Sequence, residues 1–274
     1  VQHYFDLHGR EPIAFRRADA RTDPLPLGAA GPRVILLRSG RNGGFAAGCN
    51  LGARALGPAC DFTWYLNPDT VVTTDTLARL LERALAADRP GMVGATLRYY
   101  DQPDLVQVLA GGAIDARSGE ARHIGQHCPI AKVPVEAHVI EAELAYIMGA
   151  CMLVSRSFLE QVGPMREDYF LYYEDADWGV RGAAHFKLGY APASHVFHKS
   201  GTSTSRALPA FSARFYYRNG IRFLSRHFPQ HLGRARTLLL CETLRLARRR
   251  RWQECVIAAS TWWNARRLAA EARR

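Results

Sequence analysis

Short apolar runs closed by turn residues fill the first three quarters of the chain, and a four-residue basic period takes over in the last quarter. Val34 to Leu37 is a buried-strand pattern, followed by the glycine-rich stretch Arg41-Asn-Gly-Gly-Phe-Ala-Ala-Gly-Cys-Asn-Leu-Gly52, a turn that leads into a helix ending near Leu56. Phe62 to Leu66 predicts a second strand, which must stop at Asn67-Pro-Asp-Thr70 because Pro68 cannot donate to a ladder. Thr74 or Asp75 caps a helix running to about Ala87, and Met92 to Arg98 predicts another strand. Residues 101–140 are glycine-rich and irregular, with room for short hairpins. Ala145 to Ser155 is apolar and ends as a strand, Ser157 to Val162 starts a short helix, Asp175 to His185 is helical, and Gly189 to Phe197 is strand-like. Residues 3–20 carry a weak helical pattern, and residues 21–32 form a Pro/Gly/Ala-rich connector. Strands alternating with helices predict an α/β sheet.

Beyond Pro209 the pattern changes. Arg214, Arg218, Arg222 and Arg226 recur every four residues among Phe211, Phe215, Ile221, Leu224 and Phe228, which predicts an amphipathic basic helix. A second helical stretch runs from Leu238 to Trp252 through the run Arg248 to Arg251, and a third contains Trp262 and Trp263. The chain therefore divides into residues 1–205, an α/β body, and residues 206–274, an Arg-rich helical tail.

Charge sharpens that division. From Ser205 to Arg274 there are 16 Arg, no Lys and 3 Glu, so this segment carries all of the +11 net charge and the body is nearly neutral. Such a localised field attracts polyanions, above all an anionic membrane surface, with nucleic acid the lesser candidate. No pair of the 6 cysteines has Cys-x-x-Cys spacing, which argues against a zinc site and for reduced thiols in a cytoplasmic protein. No apolar run reaches the length of a membrane span.

Four segments could carry chemistry. Asp69 follows the C-terminal end of a strand, where open α/β sheets bind ligands and where a carboxylate can hold Mg²⁺ or Mn²⁺ against phosphates, although Asn-Pro-Asp is also a common turn. Tyr172-Tyr-Glu-Asp-Ala-Asp-Trp178 crowds three carboxylates; a semi-buried one is pushed toward the pKa of a general base, while all three also suit a helix first turn. His195 and His198 stand three apart just before a Gly/Ser turn, an arrangement open to metal ligation. The glycine-rich turn of residues 40–52 could let a nucleotide approach a helix N-terminus, but it matches neither the phosphate-loop nor the dinucleotide spacing.

Their order is more specific than any one of them. Arg-Asn-x-Gly-Phe-Ala-x-Gly-x-Asn-x-Gly, Leu-Asn-Pro-Asp-Thr, Gly-Gly-x-Ile-Asp, Met-Gly-Ala-x-Met-Leu-Val, Tyr-Glu-Asp-x-Asp-Trp and His-x-x-Gly-x-Ser follow one another between Val34 and Phe228. This succession resembles the family-2 inverting glycosyltransferases, most of all their bacterial rhamnosyltransferase-like branch. The resemblance implies a GT-A-type mixed sheet flanked by helices and followed by the basic helical region. It implies a metal-dependent transfer of a sugar, rhamnose by analogy with the branch, from a dTDP-, UDP- or GDP-linked donor to a hydroxyl of a cell-surface glycan or lipid-linked acceptor.

Residue by residue, the resemblance makes Asp69 and His198 the ligands of Mg²⁺ or Mn²⁺ and Asp175 the general base. Asn42, Gly44, Phe45, Asn50 and Asn67 would join Asp69 in shaping the donor site, and Gly149, Glu174, Asp177 and Trp178 would line the acceptor side. The family's opening strand with Thr-Tyr-Asn and its Asp-Asn-Gly-Ser segment are not found here, and His3 to Arg17 looks like the helix that follows them. The expectation is therefore an N-terminally truncated catalytic domain working on the inner face of the plasma membrane. The alternatives are an inactive pseudo-transferase, or a membrane-surface or nucleic-acid binding module that uses the Arg-rich tail.

Overall fold

The computed structural model describes residues 14–19, 33–56, 60–133, 136–199 and 210–273. Their centre is a mixed sheet. Its strands are β3 (Phe62–Leu66), β4 (Thr70–Val72), β5 (Met92–Tyr99), β6 (Val106–Leu109), β10 (Cys151–Ser155) and β11 (Leu188–His198), in the order β3-β10-β5-β11-β4, with β6 also on β5. β11 runs parallel to β5, whereas β10 and β6 are antiparallel to it. Residues 92–97 of β5 are buried, as a strand covered on both faces must be. Alternation along the strands separates two cores. Met92, Met152 and Val154 face Phe158, Trp178 and Tyr190, while Val93, Ala95, Leu97, Cys151 and Leu153 face Leu80 and Ala84.

Helices cover both faces: α1 (Phe45–Leu56), α2 (Thr76–Ala84), α3 (Ala137–Glu141), α4 (Arg156–Val162) and α5 (Glu174–Gly182). Asp75 occupies the N-cap position of α2 without making a capping hydrogen bond; the start of the helix is fixed instead by Thr76, whose Oγ1 accepts from Thr73 N and donates to His195 O. That bond docks α2 on β11 where its pairing with β5 shifts register between Ala191 and His195. The glycine-rich region resolves into β7 (Gly111–Ile114), β8 (Ala121–His123) and β9 (Tyr146–Ile147), a small sheet of order β8-β7-β9.

The front of the chain departs from expectation. Residues 14–19, read as part of a helix, form β1 (Ala14–Asp19), which pairs in parallel with β2 (Arg33–Arg38). Backbone pairing there overrides a helical pattern that was weak. The rest of the 3–20 helix, apart from 14–19, and the 21–32 connector lie outside the described residues.

The tail forms three helices, α6 (Ala210–His227), α7 (Leu232–Arg248) and α8 (Trp252–Ala272). The stretch read as one helix from Leu238 to Trp252 breaks after Arg248, with Arg250 at φ 56° in the left-handed region, so Trp252 opens a new helix. Ile221, Leu224, Leu239, Leu246, Ala258, Ala265 and Leu268 make the shared core, in which the alanines of α8 let the helices approach closely. The arginine period of the amphipathic basic helix is only partly turned to solvent. Arg222 donates to Asp168 O at 2.7 Å, and Arg226 donates to Ala272 O and to the Asp168 carboxylate while its guanidinium stacks over the Tyr169 ring.

Candidate active site

The Asn67-Pro-Asp turn is set by the sheet on both sides. Asn67 N donates to Ala150 O at 3.1 Å, and Thr70 N and Oγ1 close the turn on Asn67 O. β4 then pairs antiparallel with the end of β11, Thr70 opposite His198, and Lys199 N donates to Asp69 O at 2.8 Å. This pairing brings the two expected metal ligands together. His198 Nε2 lies 3.2 Å from Asp69 Oδ1, with the imidazole buried and the carboxylate half exposed.

The other imidazole nitrogen, Nδ1, is 2.9 Å from Gln107 Oε1 on β6, and an amide oxygen can only accept, so Nδ1 carries the proton. Nε2 is then left with its lone pair toward Asp69 and, despite the short separation, makes no directed hydrogen bond. Burial lowers the imidazole's pKa, against the pull of Asp69, which favours the neutral ring that a metal requires. A buried, unbonded nitrogen beside a half-exposed carboxylate fits a divalent cation that takes its remaining ligands from phosphate and water. Among the described residues no group of three or more His, Cys, Asp or Glu gathers to hold a metal without such help. His195 lies apart, at the register shift, with its Nδ1 unpartnered.

The expected base sits at the start of α5. Its Oδ2 accepts from Gly149 N at 3.1 Å and its Oδ1 from Ala176 N at 2.8 Å. Asp175 lines a cavity of about 780 Å³ with His123, Gln126, Tyr146, Met148 and Glu174. Burial raises the pKa of Asp175, opposed by the N–H of Gly149 and by His123. Glu174, buried with Oε2 unpartnered, is pushed up to about 8 by burial and by Asp175. Two adjacent, largely buried carboxyls cannot both ionise easily, so near neutrality the pair holds less than its full charge. The turn of residues 148–150 joins the two halves: Ala150 O holds the Asn-Pro-Asp turn and Gly149 N holds the base.

The donor-side residues divide. Asn42 and Gly44 line a cleft of about 550 Å³ with Arg41, Gly48 and Arg54. Gly44 has φ 88°, and a Cβ there would lie 2.2 Å from Phe170 O, so only glycine fits. Phe45 N donates to Phe170 O, and the Phe45 ring lies against Gly149. Asn50 does not reach the cleft. It is buried, and its amide bridges Met165 N, Met165 O and Glu167, tying α1 to the loop before α5.

Two acceptor-side expectations are corrected in the same way. Asp177 is fully buried, bonded to Tyr169 Oη, Arg181 and His227. Burial raises its pKa, but the His227 and Arg181 contacts outweigh this and hold it low. Trp178 is also fully buried, its Nε1 donating to Gly163 O and its ring edge-on to Tyr65 and Phe158. On α5 Glu174, Asp175 and Ala176 line the cavity, whereas Asp177 and Trp178 look into the core.

The sequence motifs gave no sign of Gln107 or of Asn219. Gln107 is the polar member of an apolar strand, which was the available signal. Asn219, on α6, places its amide nitrogen 2.7–3.1 Å from the carbonyls of Tyr169, Leu171 and Tyr172, the loop that delivers Asp175. Phe170, Tyr172 and Tyr173 in that loop all have positive φ.

No protein-family model matches the chain. Over 218 residues it is 29% identical to N-acetylglucosaminyl-diphospho-decaprenol L-rhamnosyltransferase of Mycobacterium tuberculosis, a match covering 73% of this chain and 71% of the relative. A low-salt glycan biosynthesis hexosyltransferase of Haloferax volcanii is 28% identical over 78 residues, 28% of this chain and 25% of that one. Among solved structures, a mannosyltransferase from Pyrobaculum calidifontis in complex with GDP-mannose and Mn²⁺ superposes loosely, with TM-score 0.43 and 13% identity over 88% of this chain and 61% of that one. TarS of S. aureus does so with TM-score 0.41 and 9% identity over 86% of this chain and 75% of that one. The chain is a homologue of glycosyltransferases, with a rhamnosyltransferase as its relative over most of its length.

Proposed function

We propose that this chain is a GT-A-type inverting transferase that moves a sugar, rhamnose by analogy with its relative, from a nucleotide-diphosphate donor to a hydroxyl of a lipid-linked glycan. The observation that carries the reading is the Asp175 carboxylate, held by Gly149 N in the wall of a 780 Å³ cavity and raised in pKa by burial.

The acceptor hydroxyl is a poor nucleophile at neutral pH, so its proton must leave as its oxygen bonds to the anomeric carbon. Asp175 Oδ takes that proton. The bond from the anomeric carbon to the diphosphate oxygen breaks in the same displacement, the nucleoside diphosphate departs with the electron pair, and the configuration inverts. Glu174, pushed up to about 8 by burial and by Asp175, favours its protonated form near neutrality. Asp69 and His198 would hold Mg²⁺ or Mn²⁺, which when bound supplies positive charge to the leaving diphosphate. Asn42, Gly44 and Arg41 border the cleft assigned to the donor.

An anionic membrane surface is the proposed place of work. Trp252, Val256 and Trp263 are 62%, 67% and 78% exposed and fall on one stripe of α8, beside exposed Arg248, Arg249 and Arg250. Indoles favour the interface, and each arginine near anionic lipid adds about 1 kcal/mol. Among the described residues no helix is long and apolar enough to cross a membrane.

The test is thermal stabilisation by dTDP-rhamnose, UDP-sugars and GDP-sugars with and without Mn²⁺, followed by release of the nucleoside diphosphate on adding an N-acetylglucosaminyl-diphospho-lipid. A donor that stabilises the protein only with Mn²⁺, and is consumed only with acceptor, is the expected result. A protein that no nucleotide sugar stabilises would sink the reading.

A further inference from the structure

Beside the cavity that holds Asp175 lies a second one of about 520 Å³, and Glu120, Tyr173 and Tyr216 line both. The second runs between α6, α7 and the β7–β8 turn. That turn is seated on α6, since a Cβ on Gly119 would lie 2.4 Å from Leu224. Its wall is mostly hydrocarbon: Ile221, Leu224, Ala235 and Leu239 are buried, whereas Leu238 and Cys241 are exposed at its opening.

Ser118, Tyr173, Glu242 and Arg245 in the wall are engaged within the protein, and the exposed Glu120 stands at the end shared with the first cavity. Tyr173 Oη donates to Gly119 O at 3.3 Å, and Arg245 pairs with Glu242 at 3.2 Å. A sugar or nucleotide entering here would give up water for few hydrogen bonds, whereas a hydrocarbon chain can lie against Ile221, Leu224, Ala235 and Leu239. The volume is that of an ordinary small-ligand site, within ~300–1,000 Å³.

We propose that this second cavity receives the hydrocarbon of the acceptor, the first prenyl units next to its polar head, while the sugar lies against Asp175. The assignment rests on the transfer reaction proposed above. It gives the C-terminal helices a part in binding substrate: α6 and α7 form the tail site, and α8 packs behind them.

The experiment is a chain-length series. N-acetylglucosaminyl diphosphates on C5, C10 and C15 prenyl chains are compared as acceptors, and the sugar-free prenyl diphosphates as ligands by calorimetry, all below their critical micelle concentrations. In the unmodified protein KM and Kd fall at least ~10-fold per added unit until the cavity is full. Cys241→Trp, which fills the opening, and Leu238→Glu, which puts a charge there, flatten the series. A flat series with turnover present overturns the tail site and leaves the transfer reaction standing, as does a folded variant that keeps the parent's dependence. Rising prenyl affinity that Cys241→Trp abolishes, with no turnover on any acceptor, upholds the cavity as a hydrocarbon site and overturns the transferase reading. Absence of both binding and turnover overturns both. If the variants fail to fold, the series in the unmodified protein decides alone.

Discussion

Gly149 donates its backbone N–H to Asp175 Oδ2 at 3.1 Å, and a Cβ on Gly149 would stand 3.0 Å from the Phe45 ring and 3.6 Å from that same oxygen. The base is thus aimed by a residue at which a Cβ fits only if the Phe45 ring gives way by a few tenths of an ångström. Asp175→Asn keeps the shape and removes the basicity. Turnover should fall by ~10²–10⁴ while donor affinity stays as it was. Gly149→Ala should lower kcat more than it raises the donor Kd, because it displaces the Phe45 ring packed against the turn that holds the carboxylate. Steady-state kinetics beside donor calorimetry decide both; parental turnover in Asp175→Asn removes it as the base.

The pairing of Asp69 with His198 predicts a graded metal phenotype. Asp69→Ala or His198→Ala should abolish the Mn²⁺ dependence of donor binding. Gln107→Leu, which touches no metal, frees the imidazole to change tautomer and should weaken Mn²⁺ binding by ~10–100-fold. Mn²⁺ titrations followed by paramagnetic resonance measure this, and Gln107→Asn, which keeps an amide acceptor, should recover part of the loss. Titrations identical to the parent's in all of these variants would remove the metal site.

Glu174 makes stability depend on pH. Its folded pKa, near 8, lies above the ordinary value of 4.5, so the folded chain keeps a proton that the unfolded chain releases. Below about pH 4.5 the group is protonated in both states and costs nothing. As pH rises toward 8 the burial penalty grows, reaching the order of a few kcal/mol. Glu174→Gln removes it, so the variant's melting temperature should match the parent's near pH 4 and exceed it near pH 8.5. A constant difference across that range would mean that Glu174 is not buried as an acid.

What could be read in advance follows from what each pattern encodes. The apolar run of β3 is closed by Pro68 and that of β11 is a plain apolar stretch, so both strands were legible, whereas Asp69 and His198 were linked in advance only by the family resemblance. Helical spacing alone could not distribute the carboxylates of α5. Asp175 and Asp177 are two apart and so lie on different faces, and which face met the cavity depended on packing around Trp178. The arginine period of α6 correctly marked a face, but Arg222 and Arg226 meet Asp168, more than 50 residues earlier, which periodicity cannot reveal. Residues 14–19 failed for a related reason: the partner that makes them a strand lies across a connector.

The tryptophan stripe of α8 predicts binding to anionic vesicles that survives salt in part, since indole insertion is not screened and arginine attraction is. Trp252→Ala with Trp263→Ala should lose the salt-resistant fraction in sedimentation with phosphatidylglycerol vesicles. Binding unchanged in the double variant would leave the arginines alone responsible.

The amide of Asn219 makes the boundary near residue 205 a poor place to cut. It reaches back from α6 to hold three carbonyls of the loop in which Phe170, Tyr172 and Tyr173 are bent into left-handed conformations. Bulky residues adopt such angles only under restraint. A fragment that ends before α6 would retain Asp69, Glu174 and Asp175 yet lose the clamp that orients the last of them. Grafting a foreign tail onto this body would carry the same defect unless the newcomer brought its own hand to the loop.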